Sequence, residues 1–482
     1  MEELDFATLG KQSVRGVLAL ISQTFILQII SATALVIVLS VLSPGDVGVF
    51  VAVTAMRRVI DFFTDFGFGA ALVQKKTELT LEDLRTSFTI QFGMTFLIFV
   101  GVVLLRDVIA EYLKLNSQGE NLLLALVFTV FLSSFKTIPS ILLERKIQFQ
   151  KLVVPQVAES LAYNVLLVIL VLNGFRLDSY TYAFLAAGMI GIPFYYYVSP
   201  WKIGFGIDRK ALMNLKFGIQ FQAKNILAVI KDDLLTVILI RFLTFKEIGY
   251  IGFGQRIAFL PYRYIVDSVT KVTFSAYSRI QEDTEILRKA IEKSLFFISS
   301  LMFPILLGIV LTVPYFIEYF PKWHNKWEPA IVSIIFFSLN AAFASLSNIL
   351  INVLDATGHI KKTLNLMIIM TIITWALTPL FIIKFGFNGV PIVSFIVTMT
   401  LGYCVYLVKK IIDFNFTKNI SKALICSVIM GVVTYIYLQL FVKDMLTLFI
   451  GVAVGGIIYG SCFYLIAKKE LYEAKNIIFR KK

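Results

Sequence analysis

The composition of this 482-residue chain excludes a soluble protein, because 58% of its residues are hydrophobic and only 16% are charged. An average soluble protein has about 25% charged residues. The net charge of +14 does not by itself indicate nucleic-acid binding, since membrane proteins concentrate Lys and Arg in their cytoplasmic loops. The three cysteines all lie in apolar stretches, and the two histidines have no Cys or His at ligand spacing. We therefore expect no disulfide framework, no metal site and no cofactor.

Apolar segments follow one another along the whole chain, and each is long enough for the roughly 20 residues that a membrane-spanning helix needs. They lie near 14–41, 46–72, 85–105, 121–142, 152–173, 178–198, 212–241, 247–272, 290–312, 329–354, 362–383, 388–408, 420–441 and 445–467. The sequence therefore predicts an all-α polytopic membrane protein with about 14 transmembrane helices.

The loops between these segments predict the orientation. With the N-terminus inside, interior loops and tails carry roughly 26 Lys and Arg, and exterior loops roughly 9. We therefore predict that both termini are cytoplasmic. Every loop is too short for a soluble catalytic domain of about 100 residues, and the chain has no phosphate-binding G-x-x-x-x-G-K-[ST] motif. ATP hydrolysis by this chain is not expected.

A short internal repeat predicts two lobes. The second segment opens with Asp46-Val-Gly48 and the eighth with Glu247-Ile-Gly249, so an acidic residue, a β-branched residue and a glycine recur 201 positions later. Six helices with their loops would give this spacing. We predict an N-terminal six-helix lobe over 1–200, a C-terminal six-helix lobe over 201–410 around a central cavity, and two extra helices with a basic tail over 411–482.

Charged side chains inside membrane segments are costly, so they usually face a protein interior or a watery cavity. Three segments place such residues on one helix face. They are Arg57, Arg58, Asp61 and Asp65 on the second segment, Lys216, Gln220, Lys224 and Lys231 on the seventh, and Arg256, Arg263 and Asp267 on the eighth, with Lys271 beside them. This pattern predicts a cationic, water-filled cavity for an anionic substrate, in which guanidinium groups could bind phosphate bidentately.

Each of these groups has a structural alternative. Lys216, Arg263 and Lys271 could snorkel to the membrane surface, and Arg57 with Asp61 could form a local ion pair. The acidic residues Asp61, Asp65, Asp232, Asp233 and Asp267 are candidates for ion coupling. Asp232 and Asp233 could equally neutralise Lys231 and Lys224. A stripe of Asn348, Asn352 and Asp355 on the tenth segment is more typical of contacts between helices than of ligand binding.

Three stretches of the sequence resemble a known family. The first is Leu39-Ser-Val-Leu-Ser-Pro-Gly-Asp46-Val-Gly48, which continues to Asp65-Phe-Gly-Phe-Gly-Ala-Ala-Leu-Val-Gln74. The second is Leu142-Leu-Glu-Arg-Lys-Ile-Gln-Phe-Gln-Lys151, and the third is Asp355-Ala-Thr-Gly-His-Ile-Lys361. On these residues and the fourteen-helix plan, the chain resembles the Wzx-like polysaccharide-biosynthesis flippases of the multidrug/oligosaccharidyl-lipid/polysaccharide exporter superfamily.

The resemblance implies a carrier and not an enzyme. Members of that family move undecaprenyl-pyrophosphate-linked oligosaccharides across the bacterial plasma membrane for capsule, exopolysaccharide or O-antigen assembly, by alternating access of two lobes without ATP. The implied partners are this lipid-linked oligosaccharide and membrane lipids, with no nucleic acid. An association with polysaccharide polymerase and assembly proteins stays open.

The resemblance also implies positions for the substrate. In the related peptidoglycan-precursor flippases, arginines on helices one, two and eight line the cavity. The matching positions are Arg57 or Arg58 and Arg256, while Arg15 lies at the very start of its segment. The last two helices, near 420–441 and 445–467, would hold the lipid tail.

Two other classes remain as alternatives. A cation-coupled multidrug exporter shares the superfamily fold, but it would be expected to present acidic residues to cationic drugs. A membrane polysaccharide polymerase would usually carry a large exterior loop with catalytic Arg, Asp or Glu. The longest exterior loops, near 106–120 and 313–328, are short and sparse in such residues.

Overall fold

The computed structural model describes residues 27–64, 72, 78–146, 148–209, 211, 226–468 and 470, and the regular structure in this part of the chain is helical. Its α-helices are α1 Leu27–Val41, α2 Pro44–Thr64, α3 Leu81–Leu104, α4 Arg106–Tyr112, α5 Ser117–Arg145, α6 Phe149–Leu172, α7 Asp178–Val198, α8 Leu235–Leu239, α9 Phe245–Ile280, α10 Thr284–Tyr319, α11 Ile331–Ala356, α12 Ile360–Phe385, α13 Gly389–Val397, α14 Leu401–Lys409, α15 Phe416–Phe441 and α16 Met445–Ile466. A π-helical turn, Val229–Leu234, precedes α8.

Nine helices within the described residues are long and apolar enough to cross a membrane. They include one continuous helical stretch, Ile360–Lys409, which contains the predicted eleventh and twelfth segments with a 3₁₀ turn at Gly386–Asn388 between them. The helix α1 is apolar but shorter. The helices α2 and α9 are long enough to span but carry the charged residues that the sequence singled out. The chain is thus a multi-pass helical membrane protein, and the number fourteen stays a prediction.

The chain divides into two compact units, Met1–Gly249 and Tyr250–Lys482. The predicted boundaries of the lobes, at 200 and 410, stay predictions. In the first unit, α6 packs against α7, and α5 packs against α3 and α7. Four phenylalanines join α3 to α5, with neighbouring ring centroids 5.2 to 5.9 Å apart, and they are Phe88, Phe92, Phe131 and Phe135.

The second unit has its core between α10 and α11, where Leu295, Ile298, Leu350 and Val353 are fully buried. The helix α15 packs against α10 and α16. The asparagine stripe joins α11 to α9: Thr270 donates a hydrogen bond to Asn348 Oδ1 at 2.7 Å, and Asn352 donates to Thr273 Oγ1 at 2.7 Å. These bonds pair the buried amide of Asn352 and the half-buried amide of Asn348, and they favour the interpretation of the stripe as a helix contact.

The two copies of the sequence repeat have the same local geometry. Ser43 and Asp46 hydrogen-bond reciprocally at the start of α2, where the Ser43 hydroxyl donates to Asp46 Oδ2 at 2.7 Å. Thr244 and Glu247 do the same at the start of α9, where the hydroxyl donates to Glu247 Oε2 at 2.8 Å. Each pair forms a capping box, which satisfies backbone N–H groups at a helix start.

The repeated glycines lie where the starts of α2 and α9 cross, inside the first unit. A Cβ added to Gly48 would lie 1.7 Å from the Phe245 carbonyl oxygen, and a Cβ added to Gly249 would lie 1.9 Å from the Pro44 carbonyl oxygen. Pro44 and Phe245 are themselves equivalent positions of the repeat, so the contact is reciprocal. Glycine is needed at both positions because any side chain would overlap the opposing backbone. The repeat is therefore a structural feature and not a coincidence of sequence.

Candidate functional site

A polar cavity of about 750 Å³ opens among α2, α3, α5, α6 and α7 in the first unit. Its volume is within the range of ligand-binding pockets, about 300 to 1,000 Å³. The polar residues that line it are Arg57, Asp61, Thr64, Gln91, Thr129, Ser133, Lys136, Thr137, Ser140, Glu144, Gln156, Glu159, Ser160, Tyr163 and Tyr195. So many polar groups among membrane-spanning helices indicate a wet interior, because lipid could not satisfy their hydrogen bonds.

Four of the five charged side chains that line this cavity form two ion pairs. Lys136 on α5 lies 2.5 Å from Glu159 on α6, and these side chains are 15% and 27% exposed. Arg57 lies 3.4 Å from Asp61, one helical turn later on α2. Glu144 accepts a hydrogen bond from the Ser140 hydroxyl at 3.0 Å. The described lining of this cavity therefore has two basic and three acidic side chains. The cationic cavity that the sequence predicts from the second, seventh and eighth segments stays a prediction, because most of the seventh segment lies outside the described residues.

A second charged group lies on the π-helical turn before α8. Lys231 lies 2.6 Å from Asp232, and Asp233 lies 2.5 Å from Arg58 on α2. The Arg58 side chain is 54% exposed, whereas Asp233 is only 14% exposed. Of the two functions considered for these aspartates, neutralisation of a neighbouring cation fits this geometry. π-Helical turns are rare and occur frequently at functional sites.

The eighth predicted segment corresponds to α9, and its predicted site residues belong to the second unit. Arg256 is half-buried, whereas Arg263, Asp267 and Lys271 are exposed. Pro261 lies inside the helix without ending it. Because the helix is continuous through Pro261, Arg256, Arg263 and Asp267 lie on one face, as the sequence predicts.

Several predicted site residues lie outside the described part of the chain. They are Asp65, Lys216, Gln220 and Lys224, together with Arg15. Of the four residues predicted to share one face of the seventh segment, the structure therefore describes Lys231 alone.

Three cavity residues were missed by the sequence interpretation, namely Lys136, Glu144 and Glu159. Lys136 and Glu159 are single charges within apolar segments, and Glu144 directly precedes Arg145 and Lys146. Only the packing of helices against one another could bring the three together. Lys136 and Glu159 are oppositely charged and occur in consecutive predicted segments. That combination is the sequence signal from which an ion pair between the two helices could be predicted. Among the described residues, no group of three or more His, Cys, Asp or Glu side chains could hold a metal ion.

Comparison with known proteins agrees with the helical fold and identifies relatives. The chain is 27% identical over 267 residues to the lipopolysaccharide biosynthesis protein WzxC of Escherichia coli (strain K12), which is 52% of this chain and 51% of that protein. It is also 27% identical over 297 residues to an uncharacterized membrane protein in the cps region of Klebsiella pneumoniae, 59% of each chain. The chain thus spans little more than half the length of these relatives.

A solved structure, the lipid II flippase MurJ in an inward closed conformation, superposes on 94% of this chain and 100% of its own with a TM-score of 0.76 and 18% identity. That likeness establishes the fold. A family model described as polysaccharide biosynthesis protein matches residues 37–332, which is more than half of the chain. The resemblance predicted from the sequence is therefore confirmed, and the chain belongs to the Wzx-like polysaccharide biosynthesis protein family.

Proposed function

We propose that this chain translocates undecaprenyl-pyrophosphate-linked oligosaccharides across the bacterial inner membrane for the assembly of surface polysaccharide, such as capsule or O-antigen. The observation that carries the proposal is the polar cavity of about 750 Å³ inside a bundle of apolar helices. Sugars are strongly hydrated and need such a space to cross, whereas the polyprenyl tail is soluble in lipid. The family of the chain, and its similarity to a lipopolysaccharide biosynthesis protein and to a lipid II flippase, support this class of substrate.

The pyrophosphate needs cations, because two or more negative charges must cross a region of low dielectric. Arginine suits this role, since its planar guanidinium binds phosphate oxygens in pairs. Among the predicted site residues, Arg58 is half exposed and Arg256 half-buried, and both lie in helical segments beside polar residues. We propose these two arginines, with Arg263, Lys216, Lys224, Lys231 and Gln220, as the residues that attract the headgroup. Arg57 is paired with Asp61 and lines the polar cavity with it, so it is not placed in this group.

Alternating access is the proposed mechanism, with both termini in the cytoplasm. Within the first unit, the reciprocal glycine crossing brings the backbones of α2 and the start of α9 into direct contact, and closely packed contacts of this kind resist continuous deformation. The acidic residues Asp61, Asp65, Asp232, Asp233 and Asp267 are the candidates for coupling an ion or a proton to the cycle.

A second candidate function, cation-coupled export of small molecules, is favoured by one observation: Asp61, Glu144 and Glu159 line the cavity. Cations next to these carboxylates weaken the case for this second function. Asp61 lies beside Arg57 and Glu159 beside Lys136, so only part of this negative charge would attract a cationic drug. No observation among the described residues favours a polymerase function.

Native mass spectrometry of the purified protein tests the proposed substrate. We expect a fraction of the protein to retain a ligand with the mass of undecaprenyl pyrophosphate plus several sugars. The adduct should vanish when the protein is purified from cells that lack the first sugar-transferring step. Retention of ordinary phospholipids alone from both strains, or of a cationic small molecule, would argue for the exporter alternative.

A further inference from the structure

The cavity of the first unit has the chemistry of a carbohydrate site and not of a phosphate site. Its described charged lining consists of Arg57 and Lys136 against three carboxylates. This lining has more negative than positive charges, so it would repel a pyrophosphate, because bringing like charges together in a space of low dielectric is costly. Sugar hydroxyls, in contrast, both donate and accept hydrogen bonds, so they can pair with carboxylates, amides, hydroxyls and an ammonium at once.

Glu159 is held in a fixed position within the cavity. Lys136 Nζ donates a hydrogen bond to Glu159 Oε1 at 2.5 Å. On the other side, a Cβ added to Gly191 would lie 1.7 Å from the same oxygen. The carboxylate therefore lies directly against the backbone of α7, which only glycine permits. An ionised carboxylate has about four acceptor positions, so pairing with Lys136 leaves acceptors for a ligand.

Aromatic and amide groups complete the lining. The rings of Tyr163 and Phe184 lie 4.7 Å apart between centroids, and both line the cavity. An aromatic face carries partial negative charge, which attracts the polarised C–H groups on the apolar face of a sugar ring. Gln156 adds an exposed amide on the same helix as Glu159, and an amide can donate and accept hydrogen bonds at once.

We propose that this cavity is the glycan-binding subsite of the carrier. Glu159 accepts hydrogen bonds from sugar hydroxyls, and Gln156 forms a hydrogen bond with a further hydroxyl. Tyr163 and Phe184 pack against the sugar ring. The inference rests on the proposed function and deepens it by separating the sites for the two parts of the substrate. The pyrophosphate binds elsewhere, and this cavity distinguishes one neutral glycan from another.

Binding of two lipids to the purified full-length protein tests the subsite. The probes are undecaprenyl pyrophosphate without sugar, and the undecaprenyl-pyrophosphate-linked oligosaccharide extracted from the cells of origin. For Gln156→Ala we expect the Kd of the glycosylated lipid to rise about threefold to tenfold, the loss expected for one neutral hydrogen bond. For Glu159→Gln we expect a rise of at least about tenfold, because a charged acceptor is lost. Neither variant should change the Kd of the sugar-free lipid.

Gln150→Ala is the matched control, because Gln150 is an exposed glutamine of the same helix that does not line the cavity. Glu159→Gln leaves Lys136 without its carboxylate partner. If that variant fails to fold, Gln156→Ala still tests the subsite. Equal weakening of both lipids, or no weakening of the glycosylated one, would overturn the glycan subsite. If the wild-type protein binds neither lipid, the proposed function itself fails, and the two failures are thus distinguishable.

Discussion

Gly48→Ala is expected to impair transport severely, although it is a small change that normally favours a helix. Alanine in place of glycine stabilises a helix interior by about 1 kcal/mol. At Gly48 the new methyl group would lie 1.7 Å from the Phe245 carbonyl oxygen, so α2 and α9 must move apart. Overpacking of this kind costs about 1 to 3 kcal/mol. We expect a lower Tm for the purified variant and a large loss of surface polysaccharide at normal protein abundance.

Gly249→Ala should have the same effect, because its methyl group would lie 1.9 Å from the Pro44 carbonyl oxygen. The double variant should lose less stability than the sum of the two single losses, since one separation of the helices makes room for both methyl groups. Gly93→Ala is the control, as a Cβ there meets nothing within 4 Å, and it should be neutral or stabilising. Wild-type Tm and transport in Gly48→Ala would show that the crossing is not tight.

Removal of Arg58 is expected to lower the stability of the protein markedly. The loss should exceed that caused by removal of its partner, Asp233. Arg58→Ala leaves the mostly buried Asp233 carboxylate, 14% exposed, without its cation, whereas Asp233→Asn leaves an arginine that is 54% exposed. Breaking a buried ion pair costs about 3 to 5 kcal/mol. Because Arg58 is half exposed, we expect Arg58→Ala to lower the free energy of unfolding by about 2 to 3 kcal/mol, and Asp233→Asn to lower it by less. Both losses would be detected as decreases in Tm.

The double variant Arg58→Ala with Asp233→Asn separates structure from function. Without a buried charge it should regain most of the lost stability. If Arg58 also binds the pyrophosphate, this stable variant should still fail to export polysaccharide. Arg288→Ala is a suitable control, because Arg288 and its partner Glu285 are 37% and 62% exposed and surface pairs contribute about 0 to 1 kcal/mol. Full export by the double variant would assign Arg58 a purely structural role.

Much of the fold follows from the sequence, because apolar length and periodicity are properties of single helices. Described residues of the three stretches that resemble the family lie at helix ends or at contacts between distant parts of the chain. Arg145 in the second stretch donates a hydrogen bond at 2.8 Å to the carbonyl of Leu72 in the first. In the third, Gly358 ends α11 with a φ of 78°, a conformation that glycine adopts at low cost.

The site was harder to predict, because it depends on which helices are neighbours. Arg57 and Asp61 were found through their spacing on one helix, and they do line the cavity. Lys136 and Glu159 are one charge on each of two helices, so neither shows a periodic face. The charge balance of the cavity is a sum over five helices, and the periodicity of a single helix does not give that sum. The partner of Asp233 was likewise not foreseeable, since Arg58 is 175 residues away.

Transbilayer movement of a lipid-linked oligosaccharide in reconstituted vesicles is the most direct test of the proposed function. Purified protein is inserted into liposomes that carry radiolabelled undecaprenyl-pyrophosphate-linked oligosaccharide in both leaflets, and an impermeant glycosidase is added outside. We expect the enzyme to reach nearly all of the labelled glycan without added ATP, and only the outer-leaflet share in protein-free or Gly48→Ala vesicles. Accessibility limited to the outer-leaflet share in wild-type vesicles, or conversion of the label into polymer, would contradict the carrier function.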